Sequence, residues 1–257
     1  MSVFKAIILG LIQGLTEFLP ISSSGHLVLA EAILGINNYN NYFNILLHLS
    51  TLLSVLLVLY KDILALIKKP LARQAMLVVL ATAITCVGAA LLKIFIPSLF
   101  SLGFLGFGFL LSGMLMLVTF LGNKPQNNIR PKPISLKGAI AMGLSGCFAV
   151  LPGVSRSGTS ICAGVLSGES RESSVKFSFL ISVPIIIASM VFEVFYSGSS
   201  VYQIGFWPCF AGAVSAFLSS FISIKFMLKI AKKGNWLYFA AYLILLSFGV
   251  LIFTFAF

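Results

Sequence analysis

The chain has 257 residues, of which 59% are hydrophobic and only 9% charged, with a mean hydropathy of +1.08. A soluble domain of this length carries about 25% charge, so composition excludes one, and no polar stretch is long enough to form one beside the apolar segments. The net charge of +11 does not mark a nucleic-acid binder, because the basic residues follow the ends of apolar segments.

In chain order, residues 3–16 are apolar but too short to cross a bilayer, which takes about 20 residues. Lys5 ahead of this run gives it the look of a signal peptide, but no small-x-small cleavage site follows, so the segment reads as mature structure. A polar passage comes next, Gln13-Gly-Leu-Thr-Glu17-Phe-Leu-Pro20-Ile-Ser22-Ser23-Ser24-Gly25-His26, and then a second short apolar piece, 27–35. Three segments long enough to span follow at 43–60, 76–96 and 102–121. Residues 138–151 are again short and lead into Gly146-Cys-Phe-Ala-Val150-Leu-Pro152-Gly-Val-Ser155-Arg156-Ser157-Gly158-Thr159, with a short piece at 160–167 beyond it. Spanning segments at 176–196, 207–230 and 236–257 complete the chain.

The two polar passages are copies, 133 residues apart. Ser22, Ser24 and Gly25 align with Ser155, Ser157 and Gly158, and upstream Ala6, Ile7, Gly10 and Leu11 align with Ala139, Ile140, Gly143 and Leu144. Between them Glu17, Ser23 and His26 face Val150, Arg156 and Thr159, so the halves have specialised. Short helix, polar break, short helix is the pattern of a re-entrant hairpin, tolerated at membrane depth where protein or a water-filled cavity satisfies the freed backbone. Three spans between the copies is an odd number and inverts the second relative to the first, which predicts an inverted-topology repeat with a shared site near the bilayer midplane. The expected fold is therefore an all-α integral membrane protein: one polytopic domain over 1–257, six transmembrane helices plus two re-entrant helical hairpins, with repeats at about 1–121 and 134–257.

Basic residues test this layout. Lys61, Lys68, Lys69, Arg73, Lys124, Arg130, Lys132, Lys137, Arg171, Lys176, Lys225, Lys229, Lys232 and Lys233 fall on one side, whereas Lys5 and Lys93 fall on the other. The bias makes the richer side cytoplasmic and places both termini and the mouth of the first hairpin outside. The cysteines, Cys86, Cys147, Cys162 and Cys209, stand singly without CxxC or metal-ligand spacing and read as small buried hydrophobes.

Ionisable groups inside a membrane are costly and mark function; near the hairpin turns they are Glu17, His26 and Arg156. Arg156, flanked by Ser155 and Ser157 and by Gly153 and Gly158, suits an oxyanion, because its guanidinium donates two parallel bonds to phosphate. The helix after the turn presents its positive end to the same anion. The alternative is a buried Arg156–Glu17 pair that pins the hairpins together, which is compatible with a catalytic role. A serine needs a base to attack phosphorus, and His26 offers the imidazole. Glu17 can orient that histidine or bind a divalent cation. His48, in Leu-His-Leu-Ser on the first span, reads as structural before catalytic.

At these residues the chain resembles the undecaprenyl-diphosphate phosphatases, the bacitracin-resistance family of integral membrane type, and the resemblance runs over essentially the whole length. The family's first motif is matched by Gln13, Glu17, Pro20, Ser22, Ser23, Gly25 and His26, and its second, Pro-Gly-x-Ser-Arg-Ser-Gly, is matched in full from Pro152 to Gly158. The resemblance implies a hydrolase of the bacterial cell membrane that converts the C55 polyprenyl diphosphate carrier to its monophosphate and inorganic phosphate. Bacitracin would oppose it by sequestering the lipid substrate. It further implies Ser23 as nucleophile with Ser22 close behind, His26 as proton carrier and Arg156 as the clamp. Ser22, Ser24, Gly25, Ser155, Ser157, Gly158, Thr159 and Ser160 would bind the diphosphate, while Glu17 and Gln13 would orient groups or hold Mg²⁺ or Ca²⁺, with no organic cofactor. Gln13 departs from the glutamate some members carry, and Gly146 from a glutamine. The rival reading is a secondary transporter or flippase for polyprenyl phosphate, since inverted repeats with broken helices also build transporters. A third, the other class of membrane lipid phosphatase, fails because neither His26 nor His48 has an aspartate four residues on.

Overall fold

A computed structural model describes residues 1–36, 41–122, 132–196, 204–233 and 236–256; of the predicted basic set, Lys124 and Arg130 lie outside them. The described residues form eleven α-helices with no strand: α1 (Val3–Phe18), α2 (Ser23–Ile33), α3 (Asn41–Val58), α4 (Tyr60–Lys68), α5 (Arg73–Phe95), α6 (Leu105–Gly122), α7 (Leu136–Phe148), α8 (Arg156–Leu166), α9 (Arg171–Tyr196), α10 (Phe206–Lys233) and α11 (Leu237–Ala256). Five stretches, carried by α5, α6, α9, α10 and α11, are long and apolar enough to cross a membrane, and α3 with α4, bent by 81° at their junction, makes a sixth if counted as one span. The protein is an all-helical, multi-pass membrane protein. Bulky apolar side chains such as Leu53, Val79, Ile94, Trp207, Leu245 and Phe253 face outward, where lipid rather than water covers them.

Each predicted span lies on a helix, with ends shifted by a few residues. One element goes beyond the sequence reading: residues 60–68, expected as a basic loop, form α4, an amphipathic helix with Asp62 in its first turn and Lys68 in its last. These charges suit the positive and negative ends of the helix dipole.

Helix starts repeat at the same offset as the motifs. α7, α8 and α10 begin 133 residues after α1, α2 and α5. Their caps repeat too: Ser2 and Ser135 accept from the N–H three residues on, Lys5 and Gly138, and Ser22 and Ser155 accept from Gly25 and Gly158. A serine oxygen at this position satisfies a first-turn N–H that has no carbonyl partner.

α1 packs along α10 and α7 along α5, while α6 packs against α11. The first two crossings are close because small residues line them. A Cβ at Gly14 would meet the backbone N of Ser220 at 2.7 Å, and one at Gly143 would meet the carbonyl oxygen of Ala81 at 2.9 Å. Hydroxyls knit the pairs: Ser215 and Ser223 on α10 donate to the carbonyls of Ile7 (3.1 Å) and Leu15 (2.9 Å), and Thr85 on α5 donates to that of Gly143 (2.9 Å). Backbone cannot retreat from an added methyl as a flexible side chain can. Gly14→Ala should therefore cost about 2 kcal/mol, read as a lowered melting temperature in detergent, and an unchanged temperature would refute the close crossing.

Candidate functional site

The two polar turns meet. Ser157 donates to the carbonyl of Leu19 at 2.9 Å, a Cβ on Gly25 would come within 3.2 Å of the Gly153 Cα, and one on Gly158 within 3.3 Å of Pro20. Gly153 has φ +81° and lies against the backbone of α6, where a Cβ would stand 2.9 Å from the Phe109 N; only glycine accepts that conformation and that approach together. Beneath the turns Phe18, Ile21, Leu105, Phe109 and Ile161 belong to one buried cluster, so the turns rest on a rigid apolar floor.

Because the serine caps start the helices early, the key side chains lie in first helical turns rather than in loops. Ser23 opens α2 and Arg156 opens α8. Across the contact, Arg156 Nη2 donates to Glu17 Oε1. The other carboxylate oxygen, Oε2, accepts from Ser23 Oγ at 2.7 Å and from Gln13 Nε2 at 3.0 Å. The Glu17 side chain is 4% exposed and that of Arg156 17%. A carboxylate this deep is tolerable only with such a set of donors.

His48 completes the cluster from α3: its Nδ1 is 3.0 Å from Gln13 Nε2 and 3.7 Å from Glu17 Oε2. The histidine beside Glu17 is therefore His48; of the two roles expected for Glu17, orienting His26 or binding a divalent cation, the first has no direct contact behind it. His26 turns the other way. Its Nδ1 is 2.7 Å from the carbonyl oxygen of Ser22 and its Nε2 is 2.6 Å from the hydroxyl of Tyr242, so its hydrogen bonds and those of Ser23 go to different partners.

The remaining predicted residues divide by what holds them. Ser22 is 2% exposed, caps α2 and has φ +71°, the one positive φ among the described non-glycine residues. Its counterpart Ser155 has φ −83°. A left-handed serine costs on the order of 1–3 kcal/mol and persists only where its surroundings impose it. Ser22→Gly should thus leave the protein as stable or more stable in thermal unfolding, and a clear loss would show that the cap outweighs the strain. Ser24 is exposed and lies 3.5 Å from the Ser22 hydroxyl, and Ser155 and Ser157 hydroxyls lie 3.4 Å apart. Thr159 donates to the Ser155 carbonyl (2.9 Å), and Ser160 shares a hydroxyl contact with Ser178 of α9 (2.6 Å); both are buried within the protein.

Three contributors had no sequence signal. Tyr242 comes from α11, Ser112 of α6 accepts from the Ser155 N–H at 2.8 Å, and Phe109 forms a T-shaped pair with the His26 ring. None lies near a motif, and only packing brings them in. All four cysteines are free, with Cys147 and Cys162 buried.

For a cation, the donors present are oxygens. Glu17 supplies a carboxylate, and Gln13 Oε1 is buried without a hydrogen-bond partner. Hard divalent ions take such ligands. Among the described residues no group of three or more His, Cys, Asp or Glu could enclose a metal, so a cation here would draw part of its shell from phosphate oxygens and water.

Comparison with known proteins finds one family and many relatives over nearly the full length of the chain. The family described as Bacitracin resistance protein BacA matches residues 6–249. The chain is 36% identical to an undecaprenyl-diphosphatase of Carboxydothermus hydrogenoformans, covering 98% of this chain and 97% of the relative. It is 35% identical to one of Treponema denticola, over 100% and 99%, and 34% identical to undecaprenyl-diphosphatase 1 of Shouchella clausii, over 98% and 97%.

Proposed function

The chain belongs to the bacitracin resistance protein BacA family, and on that premise we propose that its paired serine turns form the catalytic chamber. The protein is an undecaprenyl-diphosphate phosphatase: water cleaves the phosphoric anhydride of the lipid carrier, leaving the lipid monophosphate and inorganic phosphate. The observation that carries the site assignment is the Arg156–Glu17–Ser23 chain of hydrogen bonds, which joins a cation from one copy to an acid and a hydroxyl from the other.

The chemistry runs as follows. Glu17 Oε2 takes the Ser23 proton as Oγ attacks the terminal phosphorus, and the bond to the bridging oxygen breaks to release the lipid monophosphate. Water then attacks the phosphoserine, phosphate leaves and the serine regains its proton. Arg156 exchanges part of its bond to Glu17 for the phosphoryl oxygens, where its fork meets developing charge, and the N-termini of α2 and α8 add their dipoles. His26, one turn beyond Ser23 on the same helix, accepts the proton of the attacking water on its Nε2 while Glu17 returns its own to Ser23 Oγ, the lipid monophosphate having left as its anion. Two contacts support Ser23 over Ser22 as nucleophile: Ser23 touches the carboxylate, whereas Ser22 caps α2. Gln13 and Glu17 would hold Mg²⁺ or Ca²⁺, whose charge offsets that of the diphosphate.

The membrane layout follows the same reading. At about 1.5 Å per residue, α1 and α2, of 16 and 11 residues, reach about 24 and 16 Å, short of the roughly 30 Å hydrocarbon core. The matched starts of α1/α7, α2/α8 and α5/α10 support two inverted repeats, each with a re-entrant hairpin, and the termini and first mouth outside. In a cysteine-free background, a cysteine at Ser2 should label from outside the cell and one at Lys61 only after permeabilisation; the reverse pattern would overturn the orientation.

Phosphate release by the purified protein from a short-chain polyprenyl diphosphate, with and without chelator, tests the site. Chelation should slow release and added Mg²⁺ or Ca²⁺ restore it; a rate indifferent to chelator removes the metal proposal. Lipid transport without phosphate release would favour the transporter reading.

A further inference from the structure

Tyr242 reaches the site from the last helix. Its hydroxyl is 2.6 Å from His26 Nε2, and the two rings stack at 5.7 Å with 17° between planes. Phe109 also lies against the imidazole, in a T-shaped pair at 5.4 Å and 77°. His26 Nδ1 lies 2.7 Å from the Ser22 carbonyl oxygen. A carbonyl oxygen only accepts, so Nδ1 carries the proton. A neutral imidazole has one N–H, which leaves Nε2 as a lone pair, and the phenol must be the donor to it.

We propose that Tyr242 is a positioning residue for the diphosphatase reaction: it fixes the ring and tautomer of His26, with Nε2 as the basic atom, until the diphosphate takes the place of the phenol. This rests on the reading of His26 as proton carrier.

The duplication supplies an independent argument. Phe109 and Tyr242 are separated by the same 133 residues that relate Ser22 to Ser155. The two rings beside His26 thus stand at the repeat offset on α6 and α11, and the hydroxyl occurs only on the one that meets Nε2. The counterpart of His26, Thr159, makes the same bond to its cap, from Oγ1 to the Ser155 carbonyl at 2.9 Å, but has no second polar atom to offer. Specialisation of the copies has therefore added a matched pair, an imidazole in one and a phenol in the other.

The two walls also differ in freedom. Phe109 is fully buried, whereas Tyr242 is 43% exposed. Phe109 is fixed in the core, whereas the phenol of Tyr242 has room to move when a phosphate oxygen arrives.

The test uses the full-length purified protein and phosphate release from a short-chain polyprenyl diphosphate. Tyr242→Phe keeps the stacked ring and removes one hydrogen bond. It should lower kcat about tenfold, the weight of a single bond of this kind, with KM changed by no more than about twofold. Acting through His26, it should add nothing to the loss in His26→Ala, whereas independent effects multiply. With only two histidines in the chain, a His48→Gln background isolates the His26 ring in ¹⁵N spectra, where the Nε2 signal should move in Tyr242→Phe and the Nδ1–H signal should stay. A wild-type kcat for Tyr242→Phe beside an impaired His26→Ala overturns the role of Tyr242 alone. An equal Tyr242→Phe loss in the His26→Ala background also overturns it. Full activity of His26→Ala overturns the underlying reading of His26 as well.

Discussion

Arg156→Ala should lose phosphate release by a factor on the order of 10³, the scale for removing a transition-state charge donor, and should also unfold at lower temperature. The second effect follows from Glu17, whose side chain is 4% exposed and pairs with Arg156. Removing one partner of a buried pair leaves the other desolvated without its counter-charge, at about 3 kcal/mol; the low end of the range applies because Ser23 and Gln13 still donate to Glu17. The two effects separate in Glu17→Gln/Arg156→Met. Replacing both members with neutral groups removes the uncompensated charge, so the melting temperature should return toward wild type while phosphate release stays lost. Arg156→Lys keeps the charge without the fork and should fall between, about 10–100-fold down. Were the double variant to regain turnover, Arg156 would be no more than a pin between the hairpins.

Ser23→Ala should abolish turnover, on the order of 10³-fold or more, with little change in stability. Its hydroxyl is one of several donors to Glu17, and the residue is half-buried in the first turn of α2. Ser22→Ala should show the opposite balance. It removes the cap on Gly25 from a residue 2% exposed, so about 1 kcal/mol of stability goes, while activity falls only as far as the turn loosens. Mass spectrometry of acid-quenched enzyme should find phosphate on the peptide carrying Ser23. Turnover surviving in Ser23→Ala but not in Ser22→Ala would exchange the two roles, and turnover surviving in both would point to direct attack by water.

How much of this was legible beforehand depends on the range over which each feature is encoded. Helix identity and the short lengths of α1 and α7 are local: the length of each apolar run and the polar break after it decide them. α4 is not legible from charge, because its lysines match those of a basic loop and only the spacing of Ile63, Leu64, Leu66 and Ile67 marks an amphipathic helix. The repeat was visible because the second copy kept enough of the serine–glycine frame to be aligned.

Sequence by itself determined that this chain is a polytopic helical membrane protein with two specialised copies of one polar turn, and it offered Glu17, Ser23, His26 and Arg156 as candidates for the site. Only the tertiary structure decided the partnerships. Arg156 reaches Glu17 across 139 positions, His48 reaches Gln13 from another helix, and His26 meets Tyr242 across 216. Hydrogen bonds and ion pairs act over about 3 Å, and no spacing along a chain reports which helices will approach that closely. That was set by the small-residue crossings of α1 on α10 and α7 on α5 and by the packing of α6 against α11, where side-chain volume rather than polar chemistry fixes the distance between backbones.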